Sequence, residues 1–187
     1  MAVVASDCGD CGAKHGLRST SKNAIVVHNP ISFLAKRFSD FAMPNTISIR
    51  PARADEQRVI RSMIRAEQLD PMNVHWENFL IAEIDQHIAG IGQMKPYPGA
   101  RELGSLVVMN RFREQGVGAT IINALIEREN GGILYLFCLE FRELYYGKFG
   151  FKRAYLRDLP RSLKFKYAMG WFFSRLFRFK MIVMKRL

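Results

Sequence analysis

Hydrophobic positions along the chain change period several times, and each change marks an element. Ile47-Ser48-Ile49-Arg50-Pro51-Ala52 alternates apolar and polar residues and stops at proline, as a first strand does. Val59, Ile60, Met63 and Ile64 then recur at helical spacing, with Asp55-Glu56 suited by charge to the helix start and Leu69-Asp70-Pro71 breaking it. Phe79–Ile84 and Ile88–Met94 read as two strands of a hairpin turning on Asp85-Gln86, and Pro96-Tyr97-Pro98-Gly99 as a turn. Leu103–Met109 is an apolar run with β-branched residues, the pattern of a buried strand. A polar stretch follows and turns on Gly116 and Gly118. Ala119, Ile122, Leu125 and Ile126 then predict a helix through Arg128, stopped by Gly131-Gly132. Ile133–Leu139 reads as a second central strand beside the first, and Glu140–Lys148 as a short helix closing at Gly150. Phe151–Arg157 and Phe179–Leu187 read as the last strands. The expected fold class is α/β (α+β): a mixed, mostly antiparallel sheet of six or seven strands with helices on both faces.

The order strand, glycine loop, helix in Glu102–Ala119 carries the chemistry. A helix that opens at such a loop offers unpaired N–H groups and the positive end of its dipole, which together form an anion site suited to a diphosphate. A P-loop would need G-x-x-x-x-G-K-[ST], and no lysine is present. A dinucleotide fingerprint G-x-G-x-x-G begins at Gly116-Val117-Gly118 but ends on Ile121, a bulky residue where close helix packing asks for glycine. The pattern that fits is R-x-x-G-x-G, at Arg113, Gly116 and Gly118. The remaining reading is a tight strand-to-helix turn that binds nothing.

On these residues the chain resembles the GCN5-related N-acetyltransferase (GNAT) superfamily, whose acetyl-CoA loop is [QR]-x-x-G-x-[GA]. Leu106-Val107-Val108 precedes Arg113 by the gap that the family keeps. Tyr145-Tyr146-Gly147-Lys148-Phe149-Gly150-Phe151 matches its F-Y-x-x-x-G-F run with Tyr for Phe. The resemblance covers roughly residues 46–187. More loosely, E-L-x-S-L-x-V near the loop and Leu159-Pro160 are similar to the amino-acid N-acetylating branch. The resemblance implies the GNAT fold, in which two central strands splay and the pantetheine arm of the cofactor enters the gap. It implies acetyl-CoA as co-substrate and an acetyl group moved by direct attack to a primary amine of a small molecule or amino acid. A protein lysine or N-terminal acceptor, and a non-catalytic acetyl-CoA-binding or membrane-docking module, are the alternatives.

Site residues follow by the same carry-over. The diphosphate falls to Arg113, Glu114, Gln115, Gly116, Val117, Gly118 and Ala119, and the pantetheine and thioester oxygen to Leu106, Val107 and Val108 at the strand end. Glu102, six residues before Val108, stands where the histone-acetylating branch has a catalytic glutamate; the bland reading is an exposed carboxylate or a partner for Arg101. Tyr146 stands where the family has the tyrosine acid that protonates the leaving thiolate, with Tyr145 as fallback and a packing aromatic as the bland reading. Many members place an asparagine soon after the last central strand to bond the pantetheine, and Leu139-Glu140-Phe141 has none.

Composition adds three points. The basic excess is local: residues 159–187 hold eight Lys/Arg and no Asp/Glu, while the segment between 45 and 158 is nearly balanced. Phe165, Met169, Phe172 and Leu176 form an apolar stripe there, so 159–177 is a basic amphipathic connection before the last strand. It reads either as an interfacial helix in peripheral membrane contact or as a helix packed on the sheet to shape the acceptor pocket. Nucleic acid ranks last, since no regular aromatic and basic pattern is present. Residues 1–44 lack periodicity and are expected to be a poorly structured extension of the 45–187 domain, which Met43-Pro44 immediately precedes. Cys8, Cys11, His15 and a distant His28 do not make the four ligands zinc needs, and no metal is expected. Asp7 and Asp10 argue against a transit segment, and the start has no secretory apolar core. Three cysteines without a paired framework suggest a reducing, cytoplasmic setting. The chain is expected to be a monomer or homodimer.

Overall fold

The computed structural model describes residues 46–129, 131–176 and 180–187; the extension 1–44 and its candidate metal ligands lie outside these. Residues 47–187 form one compact unit. Its seven strands are β1 (Ser48–Pro51), β2 (Phe79–Ile84), β3 (His87–Tyr97), β4 (Ala100–Val108), β5 (Leu134–Leu139), β6 (Lys152–Ala154) and β7 (Met181–Arg186). They make one sheet in the order β1-β2-β3-β4-β5-β7-β6. All neighbours are antiparallel except β4 and β5. The helices are α1 (Gln57–Ala66), α2 (Val117–Arg128), α3 (Glu143–Gly147) and α4 (Arg161–Leu176).

The apolar periods decide which face each helix covers. Ile60, Met63 and Ile64 of α1 pack on Phe79, Ile81, Ile91 and Val107. Leu163 and Tyr167 of α4 pack on the same face beside Tyr135, Phe137 and Val183. Val117, Ile121, Ile122 and Leu125 of α2 cover the opposite face with Leu80, Met94 and Leu103, joined by Tyr146 and Phe151. The Ile121 that failed the dinucleotide pattern is a core residue. It rests on β3 where Gly90 and Gly92 have no side chain; a Cβ on Gly92 would lie 2.6 Å from the Ile121 methyl. Burying side chains of this size contributes roughly 1.5–3 kcal/mol each.

Several predicted boundaries shift. β3 continues through Pro96 to Tyr97, leaving only Pro98-Gly99 for the turn. Proline is tolerated because β2 pairs with β3 no further than Gln93, so Pro96 lies beyond the two-sided part of the sheet. The strand expected over Phe151–Arg157 shortens to Lys152–Ala154, because Leu156–Asp158 coils into a 3-10 turn with the Asp158 carboxylate accepting from the Tyr155 N–H. Asp85 and Gln86 both take positive φ, the backbone of a tight hairpin turn, without the usual Asn-Gly.

One ion network fastens the first strand. Arg50 on β1 donates to Glu56 at the start of α1 (2.6 and 3.0 Å) and to Glu83 on β2 (2.6 and 3.0 Å). Glu56 is buried, and the Arg50 hydrogen bonds hold its carboxyl below the usual carboxylate range. That stabilisation is present above the unfolded carboxylate pKa, about 4.3, and is lost as pH falls through the lower folded value. Arg50→Ala should therefore lower stability in urea titrations by roughly 1–3 kcal/mol at pH 7. The gap between variant and parent should narrow as pH falls below the ordinary carboxylate range; a gap independent of pH would mean that the network contributes through packing alone.

Candidate active site

The central pair of strands is joined at one end only. β4 and β5 match Arg101 with Leu134, Glu102 with Tyr135 and Leu103 with Leu136, and no further. From Gly104 to Val108 the β5 side of β4 is unpaired. The cause lies on the other edge of β4. Its register with β3 steps from Met94–Leu103 and Gln93–Gly104 to Ile91–Val107, so Ser105 and Leu106 form a bulge. Ser105 takes φ +48, and its hydroxyl lies 2.7 Å from the Gln93 side-chain amide nitrogen. A bulge adds twist and bends the strand. Here it bends β4 away from β5 and opens a gap at the ends where both strands finish.

The groups facing that gap are backbone. The Met109 N–H donates to the Ala89 carbonyl on β3 at 2.9 Å, so by strand alternation the Val108 N–H points the other way, into the gap. Asn110–Phe112 makes one 3-10 turn. Glu114 (φ +64) and Gly116 (φ +83) take left-handed conformations that swing the chain into α2. The first backbone bond of this helix is donated by Thr120 to the Gly116 carbonyl. The N–H groups ahead of it, Gln115 to Ala119, stand at the open helix end without an intrahelical acceptor. All seven candidate diphosphate residues are therefore in one loop at the mouth of the gap. A Cβ on Gly116 would meet nothing within 4 Å, so its need for glycine is one of backbone conformation.

Arg113 does not face that loop as a free cation. Its guanidinium donates to the Val108 carbonyl (3.3 Å) and to Glu67 beyond α1 (3.1 Å), and so braces the end of β4. The Gln115 side-chain amide donates to the Arg111 carbonyl, and Glu114 is exposed. The hydrogen-bonding groups this loop leaves open are backbone amides.

Both tyrosines of the Tyr145-Tyr146 pair lie on α3 against the gap side of the sheet. A Cβ on Gly118 would lie 3.1 Å from the Tyr145 hydroxyl and 3.5 Å from a Val108 methyl, which puts that hydroxyl at the mouth of the gap. Tyr146 is 5% exposed, with its ring edge-on to Tyr145 and Phe151. Burial pushes its hydroxyl well above the ordinary tyrosine value, and burial raises Tyr145 as well. Each hydroxyl therefore holds its proton at neutral pH, as an acid that donates to a thiolate must. Cys138 on β5 is pushed up to about 12 by burial and is an inert thiol.

Glu102 departs from both bland expectations. It is 3% exposed, and Arg101 pairs instead with Glu129 at 2.7 Å. The partner of Glu102 is Lys166 on α4, whose ammonium sits 2.7 and 2.9 Å from its two oxygens. The same ammonium reaches Asp70 at 2.7 Å, and Asp70 also takes Lys95 from β3 at 3.0 Å. Burial pushes the Asp70 carboxyl up, but the neighbouring Lys166 and Lys95 more than offset this and hold it well below the usual range. Burial alone would lower Lys166; Glu102 and Asp70 carry it above the normal lysine value. Lys95, 1% exposed, is pulled down by burial and by Lys166. Sequence spacing gave no sign of this cluster, since its members come from four separate elements.

The helix α4 is seated by Leu163 and Tyr167, not by Phe165, which is 74% exposed. The rest of the expected stripe, Met169, Phe172 and Leu176, lies outside the described side chains. No helix among the described residues is long and apolar enough to cross a membrane.

Residues 75–153 match the family model described as acetyltransferase (GNAT) domain. No curated protein matches the sequence. Among solved structures, the chain is similar to N-acetylglutamate synthase from Neisseria gonorrhoeae, complexed with coenzyme A and N-acetyl-glutamate. The TM-score is 0.62 at 21% identity, over 75% of this chain and 35% of that one. It thus spans about a third of the synthase's length. A Mycobacterium tuberculosis protein in complex with CoA and NLQ gives 0.59 at 14% identity, over 75% and 98% of the two chains. An acetyltransferase of the GNAT family from Staphylococcus aureus gives 0.57 at 16%, over the same shares. At these identities the likeness to the solved structures is one of fold. Residues 75–153 thus match the acetyltransferase (GNAT) domain model, and the fold of the chain is the one these solved structures share.

Proposed function

We infer that the domain transfers the acetyl group of acetyl-CoA to a primary amine of a small molecule or amino acid. The observation that carries this reading is the one-ended pairing of β4 with β5, with an open helix N-terminus at the mouth of the gap. The amides of Gln115–Ala119 hold the diphosphate. Pantetheine lies along Leu106–Val108 in the manner of an added strand, and the Val108 N–H steadies the thioester oxygen as it becomes negative.

In the reaction the amine nitrogen bonds to the thioester carbon and the carbon–sulfur bond breaks. Tyr146 gives its proton to the departing thiolate, whose acidity is close to that of cysteine, and regains one from solvent. Glu102, acting through water, accepts the proton the amine must lose. An amino-acid acceptor is supported by the E-L-x-S-L-x-V pattern and by the N-acetyl-glutamate held by the similar Neisseria structure. A cytoplasmic setting and a monomer or homodimer belong to the same reading.

Two outcomes follow, both read by thiol release and calorimetry. Tyr146→Phe should lower kcat by roughly 10²-fold with KM for acetyl-CoA nearly unchanged. If Tyr145→Phe carries that loss and Tyr146→Phe is neutral, the acid is Tyr145. Gly116→Val, which forces a β-branched residue to φ +83, should weaken acetyl-CoA binding at least tenfold. Binding at parental affinity would move the cofactor away from this loop.

A further inference from the structure

On the face covered by α1 and α4, between the two helices, the sheet presents polar side chains. Gln93, Lys95 and Tyr97 alternate along β3, opposite Gly104, Glu102 and Ala100 on β4. Asp70 comes in from the segment after α1 and Lys166 from α4. Apolar residues would fill such a place at lower cost, because buried charges lose hydration that mutual attraction only partly restores.

The arrangement around the Lys166 ammonium is a complete receptor for a primary ammonium ion. Two carboxylates accept its protons at 2.7–2.9 Å. The rings of Phe137 and Tyr97 stand 5.6 and 5.9 Å away, within reach of cation–π attraction. One register step along the same face, towards the open gap, the Gln93 side-chain oxygen is fully buried and has no hydrogen-bond partner. A buried acceptor left unpaired costs about 1–3 kcal/mol, so a ligand N–H there would remove a standing penalty. Gly104, paired with Gln93, puts no side chain between that oxygen and the Glu102 carboxylate.

We propose that this cage is the acceptor site and that Lys166 fills it as a tethered surrogate for the acceptor, which is a cationic primary alkylamine. This deepens the transfer reading above and rests on it. The charge balance sets the ligand class. With Lys166 in place, two carboxylates face two ammonium groups and the cluster is neutral. With Lys166 withdrawn on α4, Asp70, Glu102 and Lys95 leave one uncompensated negative charge. Only a cation restores neutrality, which favours the small-molecule amine of the transfer reading over its zwitterionic amino-acid alternative. The incoming ammonium then lies against Glu102, the group assigned to take its proton, with Gln93 on the side of the thioester.

The test uses the full chain without acetyl-CoA, so that its outcome is separate from the chemistry. Lys166→Met keeps the length of the side chain and removes its charge. n-Butylammonium should bind this variant at least tenfold more tightly than the parent and raise its Tm, while n-butanol and butyrate do neither. Equal response to all three compounds, or none, overturns the proposal. Should the variant not fold alone, the parent still decides. Hydrogen exchange of the α4 backbone amides around Lys166, read by mass spectrometry, should increase as n-butylammonium saturates and stay unchanged with n-butanol. Unchanged exchange with the amine overturns the proposal. Selective binding without thiol release on adding acetyl-CoA would leave the cage standing and remove the transfer reading instead.

Discussion

The two-residue bulge at Ser105-Leu106 is the constraint from which the site follows. Without it, β4 would continue in register with β5 and their backbone groups would satisfy each other. With it, three residue pairs hold the strands together and the remaining length diverges. The sheet thus keeps a pair of strand edges unfilled in its middle, where edges are ordinarily closed. A ligand able to add backbone-like hydrogen bonds is the natural occupant. The penalty is held within bounds by Gln93 and Ser105, which lie 2.7 Å apart at the bend, and by Arg113, which caps the Val108 carbonyl.

The loop and helix that follow use the same economy of backbone. In the proposed reading the phosphate and carbonyl contacts fall to N–H groups, and the side chains of the loop turn aside. Arg113 is engaged by Glu67, Gln115 by Arg111, and Glu114 points to solvent. Such a site tolerates side-chain change and depends on φ and ψ, which is why Gly116 matters more than its charged neighbours. Packing supplies the rigidity: Ile121 set onto Gly90 and Gly92 fixes α2 against β3 at close range.

Much of this was legible in the chain. The apolar run Leu103–Met109, the two glycines and the apolar spacing of Ile122 and Leu125 are local signals, and local signals survive folding. The bulge was less visible, though Gly104-Ser105 within an apolar strand is the kind of interruption that marks one. Pro96 misled because proline ends strands only where both edges are paired. The charge cluster was not legible at all. Lys95 and Lys166 are separated by three strands, two helices and the loop, and each alone looks like an ordinary surface lysine. Lys166 stood among the eight cations of the final segment, where position in the fold, not composition, decided that it points inward.

The Arg113–Glu67 contact has one more consequence. Glu67 lies three residues before Asp70, on the same short segment that leaves α1. A single stretch of chain therefore touches Arg113 of the glycine loop at one end and Lys166 at the other. Thermodynamic linkage makes such a tie reciprocal: whatever energy one ligand spends in shifting the segment is returned as a changed affinity for the other. On the reading proposed above, these four residues of backbone would couple the affinities of the two ligands.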